Sequence, residues 1–144
     1  MLPDFTETGL LPDGVHRATI AEFEKRFVFF GVSDRRFRLF EKLRELYDQA
    51  RRSGIIRRFL VVGSFVTSKP EPNDFDCVLV LDSSVAGHDL APMEYNLVSL
   101  ARARRIFGGD VFPVLEGTPR MDRFVEFFQS SRHGDRVGIV EIEL

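Results

Sequence analysis

The sequence predicts an α/β (α+β) fold, a small mixed β-sheet packed with helices. Two observations carry this prediction. Short apolar runs bounded by breakers, such as Phe59-Leu60-Val61-Val62 before Gly63, are hydrophobic on both faces, as buried central strands are. Longer segments between them repeat apolar residues at helical spacing, as Phe40, Leu43, Tyr47 and Ala50 do. The expected order is helix, helix, strand, strand, helix, strand, helix, strand, which packs both kinds of element around one sheet.

Taken in order, residues 10–15 contain Pro12 and Gly14 and read as a lead-in. Thr19 and Glu22 make a capping box, which starts a short helix over 19–27. The apolar run 27–30, closed by Gly31, is that helix's end or a buried connector, with Phe29 and Phe30 assigned to the core in preference to an interface. Ser33 caps a longer helix over 34–53. Arg51 and Arg52 suit its last turn, where cations meet the negative end of the dipole, and Gly54 is its C-terminal cap.

Strand one covers 55–62, interrupted in its apolar character by Arg57-Arg58. Pro70 and Pro72 make 67–73 a loop, and strand two covers 74–81. A small-residue loop leads to one helix over 91–107. Pro92 is tolerated in its first turn, and Met93, Leu97, Leu100 and Ala101 form its inward stripe. Gly108-Gly109 stops it, and strand three covers 110–115. Thr118-Pro119 starts a helix with Met121, Phe124, Val125 and Phe128 on one face. A turn at 130–135 precedes a last strand over 137–144, placed at an edge.

The 144 residues are expected to form one domain, 1–144, large enough for a self-sufficient core. Hydrophobic residues at 44% and charged residues at 29% exclude a disordered profile. No apolar run approaches the roughly 18 residues that span a bilayer, and no signal core opens the chain, so neither membrane insertion nor secretion is expected. The single cysteine, Cys77, excludes an internal disulfide and suits a reducing cytoplasm. It sits mid-strand and reads as core. His16, His88 and His133 lack ligand spacing, which argues against zinc. A net charge of −2 excludes a strongly basic nucleic-acid binder, though not a local basic face.

The chemistry concentrates between Val61 and Val80. Asp74 and Asp76 stand two apart at the start of a strand, so their carboxylates leave one face and repel each other. A divalent cation relieves that repulsion, and a few carboxylates plus phosphate oxygens suit Mg²⁺. A neighbouring arginine relieves it equally, so the pair alone is not a metal site. Gly63-Ser64 ends strand one, and nine residues, 65–73, separate it from Asp74. If strands one and two are antiparallel neighbours, both features fall at one sheet edge. A crossover helix then makes strand three parallel to strand two and brings Asp110 to the same edge. Such a cluster suits nucleotidyl transfer. Gly63 admits a phosphate close to the backbone, Ser64 offers a hydroxyl and an N–H, and the aspartates hold metal.

Gly63-Ser64, the nine-residue spacer, Asp74-Phe75-Asp76 and the later Asp110 resemble the signature of the DNA polymerase beta-like nucleotidyltransferase superfamily. The chain is most similar there to the small stand-alone prokaryotic members, the minimal nucleotidyltransferases. Residues 11–19 and 138–142 look like a bacterial group of such proteins. The motif region, 59–115, covers about two fifths of the chain. The resemblance implies a nucleotidyltransferase-like fold, with Mg²⁺ (or Mn²⁺) held by Asp74, Asp76 and Asp110 as the catalytic carboxylates. It also implies a triphosphate held by Gly63 and Ser64. The spacer departs from many active members in carrying Lys69, Glu71 and two prolines.

Each residue has a plainer reading. Asp74 and Asp76 could be strand-edge carboxylates paired with arginines, Asp110 a turn residue, Ser64 a turn hydroxyl and Lys69 a solvent lysine rather than a nucleotide contact. The arginines at 51, 52, 57 and 58, and at 102, 104 and 105, form solvated faces beside acids such as Glu41, Glu45 and Asp48, or a nucleic-acid or acidic-partner surface. Neither the Gly-x-Ser-x-Gly elbow nor a P-loop lysine motif is present. Two functions follow. One is a cytoplasmic enzyme moving NMP from an NTP to a hydroxyl on a protein, RNA or small molecule. The other is an antitoxin-like or degenerate member that binds a toxin. Homo-oligomerisation is compatible with both, and no membrane partner is expected.

Overall fold

The computed structural model describes residues 1–87, 89–131 and 133–144. His88, one of the three scattered histidines, lies outside them. Five strands, β1 (Gly14–Ala18), β2 (Ile56–Val62), β3 (Asp76–Leu81), β4 (Asp110–Leu115) and β5 (Gly138–Ile142), form one sheet in the order β1-β5-β2-β3-β4. The β1/β5 and β3/β4 pairs are parallel and the β2/β3 and β2/β5 pairs antiparallel. The α/β class with a mixed sheet is as expected.

Helices cover both faces. On one face α1 (Ile20–Phe27), α2 (Arg35–Ser53), α3 (Pro92–Val98) and α4 (Leu100–Phe107) pack against Phe59, Val61, Cys77, Leu79, Val111 and Val140. Phenylalanines carry much of this core: Phe23 stacks on Phe65 at 5.9 Å and meets Phe27 at 4.9 Å. On the other face α5 (Pro119–Phe128) lays Met121, Phe124, Val125 and Phe128 over Leu60, Val62, Val78, Val80 and Val114. Alternation along 59–62 of β2 and along β3 divides the two cores, because successive side chains leave opposite faces. No described helix is long and apolar enough to cross a membrane.

Local signals are visible in the geometry. Thr19 Oγ1 accepts from Glu22 N and Thr19 N donates to Glu22 Oε1, each at 3.1 Å. Gly54 closes α2 in the left-handed conformation that glycine adopts most cheaply. Thr118 caps α5 with Pro119 in its first turn.

Several expectations are corrected. Residues 14–18 form a strand, β1, because they pair in register with β5. Pairing with β1 on one side and β2 on the other takes β5 off the sheet's edge. The expected helix over 91–107 is two: Ser99 is extended, and its hydroxyl accepts from Arg102 N to start α4 anew. That restart resets the helical phase, so in α4 Leu100 and Ala101 face solvent while Ala103 and Phe107 are buried; in α3 Leu97 is buried and Met93 is exposed. The α2 cap position falls on Asp34, although Ser33 Oγ still accepts from Arg35 N at 3.1 Å. Phe29 is exposed (67%) rather than core, whereas Val28 beside it is buried.

Candidate functional site

The antiparallel β2/β3 pair places Val62 opposite Asp76, so the turn that follows β2 lies at the entrance to β3. That turn is a short 3₁₀ segment, Gly63–Val66, tied by Thr67 N and Thr67 Oγ1 donating to Ser64 O. Gly63 has φ +75°, and a β-carbon there would stand 2.6 Å from Asp76 Oδ2. Both facts demand glycine, one for backbone conformation and one for space.

The parallel β3/β4 pair sets Asp110 directly beside Asp76. Two glycines deliver β4 to that register. Gly108 caps α4 in the left-handed conformation, and a β-carbon on Gly109 would stand 2.4 Å from the Phe75 ring. Asp110 N then donates to Phe75 O at 3.1 Å. Asp74 precedes β3 rather than lying within it, yet it still reaches the same place. Asp74, Asp76 and Asp110 each offer a carboxylate oxygen, all within 4.8 Å of one another.

Such proximity raises the cost of charge. Burial pushes the Asp76 carboxyl up to about 6, and the neighbouring charges of Asp74 and Asp110 push the same way. Arg104, in the last turn of α4, opposes them. Its Nη1 donates to Asp74 Oδ2 at 2.9 Å and to Asp110 Oδ1 at 3.4 Å. The sequence reading set Arg104 on a solvated face beside Glu41, Glu45 and Asp48; its partners are instead the aspartate cluster. Arg58 pairs with Glu141, and Arg57 with Asp82 and Glu116, across strands.

A cleft of about 820 Å³ opens beside the cluster, within the size range of small-molecule sites. Gly63, Ser64, Thr67 and Lys69 line one side, with Asp74 and Asp76, and the end of α5 and the turn after it line another. All three expected nucleotide contacts, Gly63, Ser64 and Lys69, therefore share one cleft with two of the expected metal ligands. Asp110 joins the cluster from outside the cleft lining. Phe127, 69% exposed, also lines the cleft, and Phe128 meets its ring edge-on at 5.0 Å. Cys77 is fully buried, which pushes its thiol well above the ordinary range and away from nucleophilic use.

Arg36 was not singled out in the sequence. It is 1% exposed, and burial pushes its guanidinium down to about 10. The signal was present: Arg36 continues the Phe40, Leu43, Tyr47, Ala50 stripe one step back, at core spacing.

A family model described as "Family of unknown function (DUF6932)" matches residues 3–143. No curated protein and no solved structure matches the chain.

Proposed function

The chain belongs to the DUF6932 family, and from its own site we propose that it is a nucleotidyltransferase, moving NMP from an NTP to a hydroxyl acceptor. The observation that carries this reading is the convergence of Asp74, Asp76 and Asp110 beside the Gly63-Ser64 turn at one cleft. The reading places the protein in the cytoplasm, where NTPs are abundant. It also accords with the resemblance to the DNA polymerase beta-like superfamily.

The donor set fits a hard divalent cation, because all three ligands are carboxylate oxygens within 4.8 Å of one another. Asp74, Asp76 and Asp110 would hold Mg²⁺ or Mn²⁺, which supplies Lewis-acid charge at phosphate oxygens. The chain's own residues do the rest. Gly63 lets the turn lie close against Asp76, beside the metal ligands, and the Ser64 hydroxyl and N–H donate to a phosphate oxygen. The Lys69 ammonium balances triphosphate charge. Asp110, with 40% of its side chain exposed, takes the proton of the acceptor hydroxyl as its oxygen bonds to the α-phosphorus and pyrophosphate leaves.

A second reading, an antitoxin-like binding protein on this scaffold, is favoured by one observation. Arg104 already bridges Asp74 and Asp110, so the cluster has a cation of its own.

Incubation with each α-labelled NTP and Mg²⁺, with and without a candidate protein or RNA acceptor, tests the first reading. Transfer of label that disappears in Asp74→Ala/Asp76→Ala is the expected result. Partner binding with no transfer from any NTP would sink the enzyme reading in favour of the second.

A further inference from the structure

The spacer between the Gly63-Ser64 turn and Asp74 has the composition of a mobile loop, with Pro70 and Pro72 among polar residues. It is nevertheless held from both sides. Arg36, in the first turn of α2, reaches it from beneath. Its Nη1 donates to Phe65 O at 2.8 Å and to Phe27 O at 2.7 Å. Its Nη2 donates to Thr67 O at 2.8 Å and Lys69 O at 2.6 Å, and its Nε also to Lys69 O at 3.1 Å. A guanidinium has five N–H donors, and all five are used. The group also lies over two rings, 4.0 Å from the Phe30 centroid and 5.0 Å from that of Phe65.

The spacer grips back. Glu71 accepts from Val32 N at 3.2 Å, Ser33 N at 3.0 Å and Ser33 Oγ at 2.5 Å. Gly31 makes room for this contact, since a β-carbon there would stand 2.7 Å from Pro70 O. A buried cation with only neutral hydrogen-bond acceptors is an expensive way to hold a fold together. Three of its four acceptor residues, Phe65, Thr67 and Lys69, belong to the segment that runs from the turn into the spacer. Thr67 and Lys69 both line the cleft.

We propose that Arg36 and Glu71 are positioning residues that hold residues 64–73 as a preformed wall of the cleft, so that Thr67 and Lys69 meet a nucleoside triphosphate without first being ordered. The inference rests on the nucleotidyl-transfer reading. Pre-organisation is read as affinity, because an unordered wall makes binding bear the cost of ordering it.

The test measures two affinities on the full chain, Mg-ATP by calorimetry and Mn²⁺ alone by electron paramagnetic resonance. The Mn²⁺ arm reports the aspartates and the Mg-ATP arm reports the wall as well. Arg36→Gln is expected to weaken Mg-ATP by about tenfold while Mn²⁺ stays within about twofold, and Arg36→Lys to recover part of the loss. Glu71→Ala, at a carboxylate 30% exposed, keeps the question open to experiment if Arg36→Gln does not fold, and is expected to weaken Mg-ATP by about threefold or more. Adding Lys69→Ala to either variant should cost less than it costs the wild type, since the displaced lysine no longer contributes. Wild-type Mg-ATP affinity in the variants, or parallel loss of Mn²⁺ and Mg-ATP, overturns the inference and leaves the functional reading standing. A wild-type chain that binds no Mg-ATP overturns both.

Discussion

Gly63 and Asp76 are in steric contact across the β2/β3 pair: a β-carbon on Gly63 would stand 2.6 Å from Asp76 Oδ2. The turn and the carboxylate cluster are therefore one object. Gly63→Ala has to push Asp76 aside and also hold φ +75° with a side chain. The strain should cost about 1–3 kcal/mol of stability. Divalent-cation affinity should fall by roughly tenfold or more, because the Asp76 carboxylate leaves its neighbours. Chemical denaturation and a Mn²⁺ titration of the same variant check the two effects.

Arg104 and a divalent cation compete for Asp74 and Asp110. Arg104→Ala should bind Mn²⁺ about fivefold more tightly than wild type, a gain of roughly 1 kcal/mol set by a half-exposed ion pair. Without metal the same variant should be less stable at pH 7, since Asp74 and Asp110 lose the guanidinium that bridges them. Added Mn²⁺ should restore the melting temperature. An unchanged Mn²⁺ affinity would show that the Arg104 bridge does not oppose metal.

The metal-free protein should lose stability as pH rises through the Asp76 titration. Burial, then Asp74 and Asp110, hold this carboxyl at about 6 in the fold, above its ordinary 3.8. The folded state thus keeps a proton that the unfolded state has already released. Stability is fully present below the unfolded value and falls as pH climbs from about 4 to about 6, by of order 1–3 kcal/mol. Melting curves with a chelator across this window measure the slope. Asp76→Asn should flatten it and should make the metal-free protein the more stable at pH 7.

Ser99 sets the phase of α4 and hence the reach of Arg104. Ser99→Ala removes the hydroxyl that accepts from Arg102 N and should cost about 1 kcal/mol. Urea denaturation measures it. A cost near zero would mean that the extended backbone at Ser99 starts α4 without its hydroxyl.

The site was legible where chemistry and topology reinforce each other. Asp74, Asp76 and Asp110 could be gathered from sequence because an antiparallel step and a helical crossover to a parallel strand both lead to one edge. The strands β2, β3 and β4 carry continuous apolar runs that few other structures tolerate. β1 was not legible: Gly14-Val15-His16-Arg17-Ala18 lacks a strand's pattern, and only pairing with distant β5 makes it one. The break at Ser99 was hidden because α3 and α4 each look apolar enough to share a helix, while one extended residue decides their relative phase. Arg104 is half-exposed, as on a solvated face, but its acidic partners are Asp74 and Asp110 rather than Glu41, Glu45 and Asp48. Arg36 was passed over because a charge on a core stripe reads as an exception, when its five backbone bonds make it part of the interior.

The position of β5 between β1 and β2 has a consequence for the order in which the chain is made. β2, β3 and β4 emerge consecutively during synthesis and can associate as they appear, bringing the aspartates together early. β1 emerges before all of them and has no partner until residues 138–142 follow. The strand made first thus waits for the strand made last, and this longest-range pairing carries the greatest loop-closure cost in the sheet. A nascent chain stalled before residue 138 would hold the aspartate strands together while leaving β1 loose and one edge of β2 bare, the kind of edge that invites association with other chains.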